Sequence, residues 1–201
     1  KLSNGKGAIL NIEDSLFNEE FLVIANLNAH TKDSYINQAL KISLQTIEKE
    51  FEYFKEAIFN KTLVWEGVSN PKTGGNLHNV AGDSGGWTLW GIAYNSNSGL
   101  FKNFDDFKDT TYEEAAAIAY TKYYRAINAF ILPLEARLMY FDTAYNMGNM
   151  RAIKIMQGCA GVPQDGLIGP VTREKMQYVT EECLFNSRNT TYNNLVRANI
   201  K

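Results

Sequence analysis

The chain has 201 residues, 45% of them hydrophobic and 12% aromatic, enough to bury the core of one ordinary domain or one domain plus an extension. That composition excludes a wholly disordered chain. Lys plus Arg number 20 against 22 Asp plus Glu, so a net charge of −2 gives no global electrostatic case for nucleic-acid binding. The longest strongly apolar run, residues 21–27, is far too short to span a bilayer, so no membrane span is expected.

Residues 1–32 are mixed and weakly periodic, with one short element around 19–27, and residues 1–40 read as an N-terminal extension. The start, Lys1-Leu-Ser-Asn-Gly-Lys-Gly7, has no apolar h-region and no initiator Met. No signal peptide is visible, and the chain reads as a mature product, a trimmed chain or a piece of something longer.

A long helix is predicted from Asp33 or Ser34, either of which can cap it. Leu40, Leu44, Ile47, Phe51, Phe54 and Ile58 follow at steps of four and three, a narrow apolar seam. Glu48, Lys49, Glu52, Lys55 and Glu56 are its polar neighbours. A coiled coil fits the seam, but its short length favours a helix packed on its own domain.

Residues 67–110 are rich in Gly, Asn, Ser and Asp, which predicts loops and a small hairpin. A loop-rich stretch of this length inside a domain is usually functional. Helices resume at the capping box Thr111-Tyr-Glu-Glu114, with a run from Glu113 to about Asn128. Pro133 suits the first turn of a helix ending near Gly148, and Asn149 can cap the next, through Ile153, Met156 and Cys159. Pro170 is expected to open a helix reaching about Leu184, and a last helix to cover 191–199. Strand-like alternation is scarce, so the fold class is mainly α, a helical bundle with a small loop or hairpin lobe. Cys159 and Cys183 can form one disulfide, but two buried thiols are the expected state. With His30 and His78 the only histidines, a zinc site is not expected.

Glu66 follows Phe59, Leu63, Val64 and Trp65, and Gly67 ends the helical pattern. A carboxyl there faces the negative end of the helix dipole, and burial beside Trp65 adds a desolvation penalty. Both raise its pKa, toward the value of about 6–7 that suits a general acid. On position alone, an exposed helix-end Glu of no consequence is the favoured reading. Seventeen residues on, Asp83-Ser-Gly-Gly-Trp-Thr88-Leu-Trp-Gly-Ile92 offers a second carboxylate and a hydroxyl able to hold one water. Trp87, Trp90 and Tyr94 offer flat faces for sugar rings; the alternative is a turn-bonding Asp and core aromatics. Asp142 and Asn146, four apart, share a helix face and either reach the cleft or stitch helices together. Asp105, Asp106 and Asp109 read as loop and helix-start residues.

Glu66-Gly67 followed by Asp83-x-Gly85-Gly86-x-Thr88-x-x-Gly91-Ile92 resembles the N-terminal signature of glycoside hydrolase family 108, lysozyme-like N-acetylmuramidases. Tyr120-x-x-Tyr123-Tyr124 and Phe141-Asp142-x-Ala-x-Asn146-x-Gly148 resemble its following helices. Gln157 and Asp165-Gly166-x-Ile168-Gly169-Pro170-x-Thr172 are similar to its closing peptidoglycan-binding segment. The chain departs from the family pattern at Val68, at Ala93 and in a longer stretch over 71–81.

The resemblance implies a lysozyme-like α+β fold, with a catalytic domain over 41–148 and a helical peptidoglycan-binding segment over 149–201 packed on the same domain. It implies hydrolysis of the β-1,4 bond between N-acetylmuramic acid and N-acetylglucosamine, with no metal or cofactor. Glu66 is the implied acid; Asp83 and Thr88 take the other catalytic roles. Trp87, Trp90, Tyr94, Tyr124 and Asn146 are candidate substrate contacts. An inverting mechanism needs the carboxyls about 6.5–9.5 Å apart. Bacterial peptidoglycan is the expected partner, met in the periplasm or from a virion. The N-terminal extension leaves room for a virion or secretion-apparatus partner. A lytic transglycosylase and a non-catalytic wall-binding or virion structural protein are the competing readings.

Overall fold

A computed structural model describes residues 33–65, 69–70, 74–79 and 85–199. The chain divides into two compact units, Lys1–Glu52 and Tyr53–Lys201. The expected element at 19–27 lies outside the described residues, as do Glu66 and Asp83.

Helix α1 spans Asp33–Tyr53. In the first unit, Leu44 of the expected seam is 55% exposed, and Ile47 and Phe51 are only half-buried. Among the seam residues whose burial is described, the core face begins at Phe54, in the second unit.

That unit opens with a π-helical stretch, Phe54–Phe59, and then α2, Asn60–Trp65. Its hydrogen bonds close at i→i+5, as from Asn60 N to Lys55 O, so each turn holds more residues than an α-turn. Side chains then line up at steps of four. Phe54, Ile58 and Thr62 are fully buried, and beside them Lys55, Phe59 and Leu63 are nearly so. Lys55, expected among the polar neighbours, is thereby turned inward. Its ammonium donates to Glu113 at 3.0 and 3.2 Å, keeping the charge paired.

Short strands follow. β1 (Ser69–Asn70) pairs antiparallel with β2 (Gly74–Gly75). β3 (His78–Asn79), β4 (Trp87–Leu89) and β5 (Ile92–Ala93) form an antiparallel sheet with β4 in the middle. The small lobe continues through α3 (Tyr94–Asn97), a 3₁₀ turn at Ser98–Leu100 and α4 (Phe104–Lys108). Asn103 caps α4, so Asp105 and Asp106 sit in its first turn, where a helix dipole favours carboxylates.

Helix α5 (Tyr112–Ala119) begins with the capping box read from sequence: Thr111 Oγ1 accepts from Glu114 N, and Glu114 accepts from Thr111 N. It leads into a second π-helical stretch, Tyr120–Arg125. Phe54 of the first π stretch packs on Tyr120 and Tyr124 of the second, centroids 5.3 and 5.1 Å apart, and on Phe141 at 5.1 Å. These rings are the centre of the core.

Helix α6 (Leu134–Met147) follows Pro133 and stops at Gly148, whose φ of 84° suits only glycine. Gly148 is also the cap of α7 (Asn149–Cys159), whereas Asn149 is its first helical residue and donates to Lys122 O. α8 (Pro170–Met176) is shorter than expected, and α9 runs from Glu181 to Asn199. The break falls at 177–180 because Thr180 Oγ1 accepts from Cys183 N and starts α9 early. The expectation of free thiols is corrected: Cys159 and Cys183 form a disulfide, Cα atoms 5.8 Å apart, joining the end of α7 to the first turn of α9. Just before this closed loop, Gln157 is fully buried and clasps the Asp165-Gly166 turn within it. Its Nε2 donates to Asp165 Oδ1 and Leu167 O, and its Oε1 accepts from Gly166 N.

Candidate active site

Thr88 sits at the middle of the central strand β4, opposite His78 on β3 and Ala93 on β5. A position bonded on both sides is held more firmly than an edge residue. The β4–β5 hairpin has a two-residue turn in which Trp90 (φ 53°) and Gly91 (φ 74°) both take positive φ, as a type I′ turn requires. Positive φ costs a bulky residue about 1–3 kcal/mol. Trp90 is held there by its surroundings. Its indole Nε1 donates to Thr110 O at 2.9 Å, its ring meets Tyr112 edge-on at 5.7 Å, and Gly75 lies flat against it. At 7% exposure Trp90 has no open face for a sugar ring and belongs to the core.

The remaining aromatics divide in the same way. Trp87 is 41% exposed, and its ring is braced by Phe104, centroids 5.7 Å apart. Tyr94, half-buried, packs edge-on against Phe104 at 5.2 Å and against Phe107 at 5.1 Å, so it supports that brace. Tyr124 is fully buried, with Arg137 Nη1 donating to its hydroxyl, and offers no surface to a ligand. On the hairpin's approach, Gly86 takes φ 69°, and a Cβ there would meet Asn95 Nδ2 at 2.7 Å. Asn95 N donates to Gly85 O, so this glycine pair is pressed onto the start of α3.

Helix α2 ends at Trp65, the residue before Glu66. The end of α6 reaches the hairpin from another side: Tyr145 donates to Trp90 O at 3.3 Å and packs on Phe59 of the first π stretch. Asn146, next in sequence, is exposed; its Nδ2 donates to Asp142 O and to Asp142 Oδ1, both at 3.1 Å. Asp142 is 5% exposed and ion-paired with Arg188 of α9, so it joins helices rather than facing solvent. Burial works against the charged Arg188, but Asp142 and Tyr192 outweigh it and raise its pKa. Arg188, Tyr145 and Phe104 were not among the expected site residues. Each acts through a tertiary contact that leaves no local pattern in the chain.

Among the described residues no group of three His, Cys, Asp or Glu side chains is arranged to hold a metal, and no helix is long and apolar enough to cross a membrane.

Residues 59–148 match the glycosyl hydrolase 108 family. The match supports glycosidic hydrolysis as the class of activity. It takes in the last residue of the first π stretch, the hairpin lobe and α6, and the positions of Glu66, Asp83 and Thr88. Among solved structures, that of Brucella abortus SagA resembles this one with a TM-score of 0.53 at 23% identity, over 70% of this chain and 76% of that one. The helices around a small three-stranded antiparallel sheet, with the β1–β2 pair beside it in sequence, are the lysozyme-like α+β fold expected from the sequence. Among curated proteins nothing matches.

Proposed function

We propose that this chain hydrolyses the β-1,4 bond between N-acetylmuramic acid and N-acetylglucosamine in peptidoglycan. The observation that carries the reading is the family match, which spans the Glu66, Asp83 and Thr88 signature. Glu66 protonates the leaving oxygen. Asp83, with Thr88, orients and deprotonates a water on the opposite face of the sugar, an inverting course. Thr88 suits that role because it stands on a doubly bonded strand. Trp87, braced by Phe104, supplies the exposed ring for a sugar; Asn146 contributes a polar contact.

In this reading, residues 41–148 do the chemistry and 149–201 bind the wall polymer. The Cys159–Cys183 disulfide supports work in an oxidising setting such as the periplasm or outside the cell. The test is digestion of purified peptidoglycan by wild type and Glu66→Gln, with products identified by mass spectrometry. Wild type should release reducing muropeptides, and Glu66→Gln should lose about 10²-fold or more in rate. Products lighter by one water would assign a lytic transglycosylase instead. Equal, negligible digestion by both proteins with retained binding to sacculi would make the chain a wall-binding protein.

A further inference from the structure

Asn146 stands in the last turn of α6, one residue after the tyrosine that touches the hairpin turn. Its side chain is exposed, yet its amide nitrogen is fully engaged. Nδ2 has two hydrogens, and two acceptors lie 3.1 Å away, Asp142 O and Asp142 Oδ1. One acceptor is a backbone carbonyl, and the other is a carboxylate oxygen whose twin accepts from Arg188. Turning the amide over would set Oδ1 against two sets of lone pairs, so the nitrogen end is fixed inward. Oδ1 then has no donor among the described residues. Asn146 therefore presents to a ligand an acceptor and nothing else.

Asp142 is held in turn from α9, beyond the segment that matches the family. The Arg188 guanidinium pairs with Asp142 Oδ2, lies 5.5 Å from the centroid of the Tyr192 ring and donates toward Met139 Sδ. The guanidinium anchors Oδ2 and with it the plane of the carboxylate, so Oδ1 stays aimed at the Asn146 nitrogen; without that anchor the carboxylate would be free to rotate and the amide free to turn.

We infer that Arg188, acting through Asp142, locks Asn146 as an acceptor for the amide N–H of a sugar 2-acetamido group, with Arg188 and Asp142 as positioning residues. An acetamido group offers one N–H and one carbonyl; a freely turning Asn would meet either, whereas this one selects the N–H and opposes the carbonyl. The inference rests on the reading of this chain as acting on an N-acetylated glycan and names the contact that recognises it.

The test uses the full chain and two β-1,4 tetramers, one of N-acetylglucosamine and one of glucose. Binding is measured by calorimetry, and turnover on soluble peptidoglycan fragments is measured alongside. Wild type should prefer the acetylated tetramer, and Asn146→Leu should lose about tenfold of that preference. Arg188→Met should lose a similar share, raising KM with kcat held, and Arg188→Lys should restore most of it. The double variant Asn146→Leu with Arg188→Met should be no weaker than Asn146→Leu alone, since both remove one interaction. Additive losses, or a preference unchanged in Asn146→Leu, overturn the inference, and peptidoglycan turnover by wild type would then leave the hydrolase reading standing. Loss of turnover in wild type with the Asn146-dependent preference intact would overturn the hydrolase reading and sustain this contact.

Discussion

Gly91 is the position where the hairpin geometry can be tested most directly. At φ 74° an alanine would suffer the left-handed penalty of about 1–2 kcal/mol. Its Cβ would also strike the Tyr145 hydroxyl and lie 3.2 Å from both Cε1 and Cζ of that ring. Tyr145 cannot easily retreat, because it packs on Phe59, Tyr123 and Phe141. Overpacking of this kind costs about 1–3 kcal/mol, giving a total of about 2–5 kcal/mol. Gly161 is the control: its φ is 69°, but a Cβ there meets nothing within 4 Å, so Gly161→Ala should cost only the backbone share. Urea denaturation of both variants, read as the midpoint at constant slope, gives the comparison. In a Tyr145→Phe background the Gly91→Ala cost should fall toward the Gly161→Ala value, since the hydroxyl is the nearest obstacle. Equal costs for the two alanines, or no relief in the Tyr145→Phe background, would refute the assigned contact.

The disulfide links residues 24 apart in sequence, a closure whose loop entropy corresponds to about 3.5 kcal/mol. The Cys159→Ala, Cys183→Ala double variant should therefore melt well below the oxidised wild type, and coincident melting curves would contradict the bond. Asp165 is held below the usual carboxylate range by hydrogen bonds from Leu167 N and the Gln157 side chain. Its contribution to stability should be full above its ordinary pKa of 3.8 and be lost as pH falls through the lowered folded value. The stability difference between wild type and Asp165→Asn should thus be flat near neutrality and shrink in acid; a constant difference down to pH 2 would count against the clasp.

Much of the helical frame was legible because its signals are local. The Thr111 capping box and the Pro133 and Gly148 boundaries each stand where their chemistry places them. Lys55 was misplaced because a period of 3.6 was assumed where an i→i+5 stretch steps by four. The hairpin turn was hidden because a type I′ turn is announced by Asn-Gly, and here a buried tryptophan takes the first position. Trp90 and Tyr124 looked like sugar platforms because composition does not distinguish a core aromatic from an exposed one. Two cysteines say nothing of pairing until α7 and α9 are brought together. Thr180 with Glu181 and Glu182 was a readable helix start that was passed over.

The ion pair between α6 and α9 has a consequence for how this chain can be cut. A fragment ending at residue 148 would keep Asp142 but discard the guanidinium that pairs with it, on a helix where Phe141 and Ala144 are sealed from water. Such a fragment would gain by unwinding the turn that bears the unpaired carboxyl. The segment that defines the family match is thus not a portable module in this protein: severed from the residues beyond it, it would inherit an electrostatic debt at the helix end that meets the hairpin.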